Sequence, residues 1–422
     1  MVVSERDKSV LRELVKQTME IAAQDIQDKR REMWADFNSL KTKSVPIYIL
    51  DPQGVWREVF SQDDLQCEHP LLRTYENWLR LQLYHASFGD DFVTEPWLTV
   101  YPAYKNESPN WATWGVSLDY NRVQATMAYH MPEPPVKSQE DLEKLIRPFP
   151  LIDETATQEK IALLQDAVGD LIPVLPDYMP IYSIGLVSGL SFTLGYLLEP
   201  EQMLYQLYDR PEMVHELCKL ISDTYHQIYD EAEKQGWFTN INQTFLGNAQ
   251  IQSMPYSREI PSPSQEAQAV PMKQHWIYDA SQEFESVGPE MFNEFLIEYQ
   301  RPLYEKFAFT AYGCCENLTH KIKYLKQIKN LRRVAVTPWA DLPSCAEQLS
   351  DKYIISYRPP PAEMVGNGWD PERVSTIIRQ AKEIFSKANC RWEINLKDFI
   401  TVESDKERLK NWVQTVRSVL EE

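Results

Sequence analysis

Long uninterrupted apolar runs are missing from this sequence. The longest, such as Ile181 to Leu190, carry Ser and Gly and stop well short of the ~20 residues needed to span a bilayer, which argues against a membrane protein. An export signal is missing too. The chain opens MVVSERDKSVLREL, charged and helical, without an apolar core or a small-residue cleavage site, so a cytoplasmic, reducing location is expected. Positive charge is in short supply, 43 Lys and Arg against 62 Asp and Glu, for a formal net charge of −19. A surface so acidic repels phosphate backbones, and no basic stripe interleaved with aromatics interrupts it, so nucleic acid is not an expected partner. Cysteine is sparse. The six, Cys67, Cys218, Cys314, Cys315, Cys345 and Cys390, are scattered apart from one adjacent pair, with neither a disulfide framework nor a CxxC zinc pattern.

What is present is core-forming material: 43% hydrophobic and 12% aromatic residues in a chain of 422. That length suits one barrel with insertions as well as it suits several domains. Residues 4–33 read as a charged amphipathic helix and 46–50 as a buried strand, followed by a helix over 69–88. From 97 to 130, short aromatic and β-branched stretches broken by turn residues predict a small antiparallel insertion or lid. Thereafter apolar runs at 180–187, 237–241, 275–279, 307–312, 332–338, 352–357 and 390–396 alternate with helical stretches at 200–235, 289–307, 317–328, 343–350, 371–387 and 403–421. About eight buried strands alternating with helices predict an α/β fold, a (β/α)8 TIM barrel over 46–422 with a helical extension at 1–45. The rival, an open doubly wound sheet, usually carries a Gly-rich nucleotide turn after its first strand, and none is here.

In such a barrel the residues just past each strand face the site. Those positions hold Asn240 and Asn242, then Asp279, Ser281, Gln282 and Glu283, then Tyr312, Cys314, Cys315 and Glu316. Trp339, Asp341, Arg358, Glu393, Lys397 and Asp398 complete the set. The segment AYGCCENL is the sharpest of these. Its thiols read as small buried hydrophobes, as soft-metal ligands (zinc first), or as a redox or nucleophilic pair. Successive side chains diverge, so one thiol is expected to face the site, with Glu316, Asp398, Glu283 or His275 as co-ligands. Arg358, in SYRPPP, offers a planar double donor for a carboxylate or phenolate.

Residues from about 180 to 421 resemble the uroporphyrinogen decarboxylase superfamily, through IGLVSGLSFTLGYLL, LYDRPEMVHEL, SQEFESVGPEMFNEF, YGCCE, TPWAD, SYRPPP and WEINLKDF. The closest look-alike is an uncharacterised bacterial branch near the corrinoid-dependent methyltransferases. Methyltransferases of the superfamily bind zinc through a His-x-Cys and a later Cys; here those positions read Tyr312-Gly313-Cys314 and Asp398. The namesake decarboxylases carry an Arg-rich N-terminal motif that is absent. The resemblance implies transfer of a methyl group from a small methylated substrate to a corrinoid on a separate protein, zinc-assisted, with a homodimer as one compatible assembly. On that reading Glu283, Glu316, Arg358, Lys397 and Asp398 act in catalysis, and Gln282, Tyr312, Trp339, Asn242 and Glu393 bind substrate. Cys314, Cys315 and His275 are the metal candidates. Two alternatives stay open: a cofactor-free lyase of the decarboxylase type, and a non-catalytic ligand-binding barrel.

Overall fold

In the computed structural model, which describes residues 3–50, 52–105, 114–116, 121–122, 129–130, 134–178, 189–241 and 251–422, the apolar runs after residue 275 all become strands. In chain order the parallel strands are β1 (Ile47–Ile49), β2 (Leu98–Val100), β3 (Val174–Pro176), β4 (Trp276–Asp279), β5 (Phe309–Tyr312), β6 (Leu331–Val336), β7 (Ile354–Tyr357) and β8 (Arg391–Leu396). Six of them form one all-parallel sheet in the order β1-β8-β7-β6-β5-β4. The other two, β2 and β3, pair in parallel with each other. From β4 onward a helix or helical turn separates consecutive strands, as parallel pairing requires. The architecture is α/β; among the described residues the strands form an open six-stranded parallel sheet and a separate parallel pair, and the expected closed ring of eight is not seen.

Side chains alternate across a strand, so each strand contributes to two different interiors. Ile277, Val334, Val336, Ile355, Ile394 and Leu396 join the main core with the helices. On the opposite face Trp276, Tyr278, Phe309 and Ala311 form one apolar cluster, and Tyr48, Leu50 and Ile354 belong to another. Between them stand Arg333, Ser356, Glu393 and Asn395, all buried. Arg333 and Glu393 approach to 3.3 Å with side chains 2% and 0% exposed. Glu393 also accepts from Ser356 and from the Ser253 hydroxyl at 2.9 Å. Arg333 donates to Asn38 Oδ1 at 2.6 Å and lies over the Trp276 ring, 5.2 Å from its centroid. Hydrogen bonds at both ends are what make a buried ion pair tolerable.

Asn38 ends the helix Asp25–Asn38, and its amide donates to the carbonyls of Met254 and Tyr256 at 2.8 and 2.7 Å. The segment from 251 to 257 is thereby pinned against the inner face of the sheet. The single helix expected at 4–33 is two, Glu5–Ala22 and Asp25–Asn38; Ser4 caps the first by accepting from the Asp7 amide at 3.0 Å. Its Leu11, Leu14 and Val15 pack with Leu72, Leu79, Leu98, Val100 and Leu164 in a second core around β2 and β3.

Several local expectations change. Leu98–Val100 is a parallel strand, and antiparallel pairs join Asn121–Arg122 with Tyr129–His130 and Ala103–Tyr104 with Ile152–Asp153. Among the described residues the run at 237–241 makes the isolated antiparallel Thr239–Ala269 bridge, and Phe238 packs against Tyr229 and Phe307. The helix expected at 289–307 passes through a π turn at Asn293–Ile297 and carries Pro302, which cannot donate to the helical ladder. The helix expected at 317–328 shrinks to Ile322–Leu325. The run at 180–187 lies outside the described residues. Among the described residues no helix is long and apolar enough to cross a membrane.

Candidate active site

Three strand ends converge on one group of side chains. The turn after β5 is made possible by Gly313, whose φ of +102° favours glycine and where a Cβ would lie 2.7 Å from Leu318 Cδ1. Glu316 fixes this turn from behind. Its Oε1 accepts from the Ser281 amide at 2.7 Å and hydroxyl at 3.2 Å, and its Oε2 from the Cys314 amide at 2.8 Å. Cys314 Sγ then accepts from Lys397 Nζ, just past β8, at 2.9 Å and from Gln252 Nε2 at 3.3 Å. Cys315 Sγ lies 3.5 Å from Cys314 Sγ, 3.2 Å from Lys397 Nζ and 3.1 Å from Asp398 Oδ2. Lys397 Nζ closes the cluster on Asp398 Oδ2 at 2.9 Å.

The charges follow from these contacts. Cys314 is held well below the usual thiol range, first by the hydrogen bond from Cys315 and then by the Lys397 ammonium, which together outweigh its burial. Cys315 moves the opposite way, kept a neutral thiol by the sulfur it donates to and by burial. Burial opposes the charge on Lys397, yet Cys314 and Asp398 hold its pKa above the ordinary lysine value. Burial and the neighbouring Cys314 raise Glu316. The two thiols are thus driven in opposite directions beside the Lys397 ammonium.

Arg358, just past β7, is 4% exposed. One terminal nitrogen donates to Gln252 Oε1 at 3.2 Å, while its Nε and other terminal nitrogen have no partner among the described residues. Among the described residues no carboxylate pairs with it: Glu393 serves Arg333, and Asp398 serves Lys397. A buried, unpaired guanidinium costs several kcal/mol, and an incoming anion would relieve it. Gln252 is the hub that brings these groups into register. Beyond Cys314 and Arg358, its amide donates to Tyr278 Oη at 2.7 Å, and its carbonyl accepts from Asn395 at 2.6 Å.

Of the residues expected at the site, Cys314, Cys315, Arg358, Lys397 and Asp398 come together, with Glu316 holding the thiol turn. The others are elsewhere. His275 precedes β4 and bonds the Trp276 carbonyl at 2.9 Å; at ~3.3 Å per residue it lies about 13 Å of strand away from the site end and cannot join the thiols. Glu393 is spent on Arg333 in the interior. Tyr312 turns to the helix side, packing edge-on against Phe292 and Tyr304, because the strand alternation that presents Ala311 inward sends it outward. Glu283 accepts from Ser191 at 2.6 Å, Gln282 is exposed, and Trp339 is 72% exposed. Asn242 lies outside the described residues. Gln252, Tyr278 and Arg333 escaped the sequence reading. Only the strand alternation that puts Tyr278 and Arg333 on the inner face could have signalled any of them.

Asp279 ends β4 on the helix side. Its Oδ2 accepts from Gln300 at 2.6 Å and Tyr304 at 2.5 Å, and Gly189, with φ +62°, leaves room for it: a Cβ there would sit 2.0 Å from Oδ2. Burial first, with Glu316 and Glu283 adding, pushes its pKa from 3.8 up to about 8. An acid raised in the folded state binds its proton more tightly there than in the unfolded chain. Its contribution to stability is therefore complete below the unfolded pKa and lost as pH rises through the folded one. The melting-temperature advantage of wild type over Asp279→Asn is expected to shrink steadily from about pH 5 to about pH 8. A pH-independent difference would show that the carboxyl is not protonated.

No protein-family model matches the sequence, and no curated protein does. Among solved structures, a methyltransferase from Methanosarcina mazei superposes with a TM-score of 0.52 over 93% of this chain and 99% of that chain, at 10% identity. The likeness is one of fold. It spans nearly the whole of both chains.

Proposed function

We propose that this chain is a methyl-transferring enzyme that works at the carboxyl-terminal mouth of a (β/α)8 barrel on a small anionic methylated compound. The β2-β3 pair and the six-stranded sheet would supply the staves of that barrel. The observation that carries the reading is Arg358, buried and with two nitrogens unpartnered among the described residues, beside the Cys314–Lys397 pair. A substrate carboxylate or phenolate would accept those donors as a charge-assisted fork, which orients the methylated end relative to Lys397. The Lys397 ammonium would give its proton to the leaving oxygen or nitrogen as the bond to methyl breaks, exchanging one of its bonds to Cys314, Cys315 or Asp398 for one to the substrate. The methyl acceptor would be a corrinoid carried by a separate protein, which supplies a low-valent cobalt nucleophile when docked. Likeness in fold to a methyltransferase supports this reading.

The test is anaerobic incubation with free cob(I)alamin and a panel of methoxylated aromatic carboxylates and N-methylated amino acids. Methylcobalamin, read from its visible spectrum, is expected with anionic donors. Equal turnover of uncharged donors would count against it, as would no turnover with any of them. A cofactor-free lyase is the second reading, since Arg358 and Lys397 could equally hold the carboxylates of a substrate. Release of carbon dioxide from a polycarboxylate without any methyl acceptor would select it.

A further inference from the structure

Around the thiols stand the donor types of a soft-metal site: Cys314 Sγ, Cys315 Sγ and Asp398 Oδ2. The Lys397 ammonium lies among them, at 2.9, 3.2 and 2.9 Å. These are hydrogen-bond lengths. A zinc ion would need the same atoms drawn in to about 2.0–2.3 Å around a common centre, and the ammonium already occupies that centre. An ammonium has three N–H donors and no acceptor, so these three partners use its whole hydrogen-bonding capacity. Lys397 is 7% exposed, and its stem is packed rather than free to swing into solvent. His275 is out of reach at the far end of β4. Among the described residues no group of three or more His, Cys, Asp or Glu is arranged to hold a metal.

We infer that Lys397 stands in the place of a divalent metal ion, so that the vicinal thiols with Asp398 are a soft-metal site closed by a built-in cation and opened only when that cation is removed. The inference rests on the geometry of the cluster and not on the methyl-transfer reading. The probe is cadmium, whose thiolate complexes absorb in the near ultraviolet. Purified wild type is expected to carry far less than one zinc per chain and to show no thiolate band with an equivalent of cadmium. Lys397→Gln should develop the band at one equivalent and bind cadmium at least about 100-fold more tightly than wild type. Adding Cys314→Ser should abolish that gain.

Three results would overturn the inference. One is a stoichiometric zinc in wild type that disappears in Cys314→Ser. The second is a wild type that takes cadmium as tightly as Lys397→Gln. The third is a Lys397→Gln protein that keeps the wild-type circular dichroism spectrum and binds no cadmium. The wild-type measurements decide the matter even if the variant does not fold. None of them requires substrate, so failure of the corrinoid assay and failure of this inference remain separate outcomes.

Discussion

Arg358→Met is expected to lower kcat/KM for an anionic methyl donor by about 100- to 1000-fold, or about 2.7–4 kcal/mol of transition-state binding, while leaving thermal stability unchanged or slightly raised. The guanidinium is buried with two of its nitrogens unpartnered among the described residues, a cost that a bound carboxylate would repay. Methionine keeps the length of the stem and its packing and removes only the charge and the fork. Turnover of an uncharged analogue should change little. Arg358→Lys should restore a minority of the activity, because an ammonium lacks the planar pair of donors. Steady-state kinetics on matched charged and uncharged donors settle the matter. An equal loss on both would mean that Arg358 only supports the local structure.

Glu393→Ala is expected to cost about 3–5 kcal/mol of stability, because Arg333 would then sit in the interior with no counter-charge. Both side chains are essentially inaccessible, and the hydroxyls of Ser356 and Ser253 would lose their acceptor as well. Replacing both charges, as in Arg333→Met with Glu393→Leu, should recover most of the loss, since a buried pair exchanged for apolar residues of similar volume is often neutral. Urea unfolding followed by circular dichroism measures it. A penalty for Glu393→Ala no larger than the ~0.5 kcal/mol of a surface change, together with a raised KM, would return Glu393 to the substrate-binding role that its position near the end of β8 suggested.

That role was misassigned for a reason that applies along the whole chain. The alternation of apolar runs with helices is local, and it located β1 and β4 to β8 to within a few residues. Whether a polar residue in a buried strand meets solvent, a ligand or another side chain is not local. Glu393 looked available because its sequence neighbours do not show Arg333, sixty residues upstream but two strands across. Gln252 was invisible for the converse reason. It sits in a Pro-, Ser- and Gln-rich segment that reads as an ordinary loop, and long-range bonds, from Asn38 to Met254 and Tyr256 and from Asn395 to Gln252, bring that loop against the inner face of the sheet. His275 and Cys314 looked like partners because histidine and cysteine share a chemistry, yet they stand at opposite ends of adjacent strands.

By itself, then, the sequence determined the α/β class, the strand positions after residue 275, and the fact that thiols, a lysine and an arginine fall just past strand ends. These depend on hydrophobic period and turn chemistry, which act over a few residues. Tertiary structure alone decided that Lys397 lies among Cys314, Cys315 and Asp398, that Arg358 meets no counter-ion among the described residues, and that Gln252 joins them. Those facts depend on angstrom-scale distances between strand ends far apart in the chain, which only the pairing of β5, β6, β7 and β8 in one sheet can set.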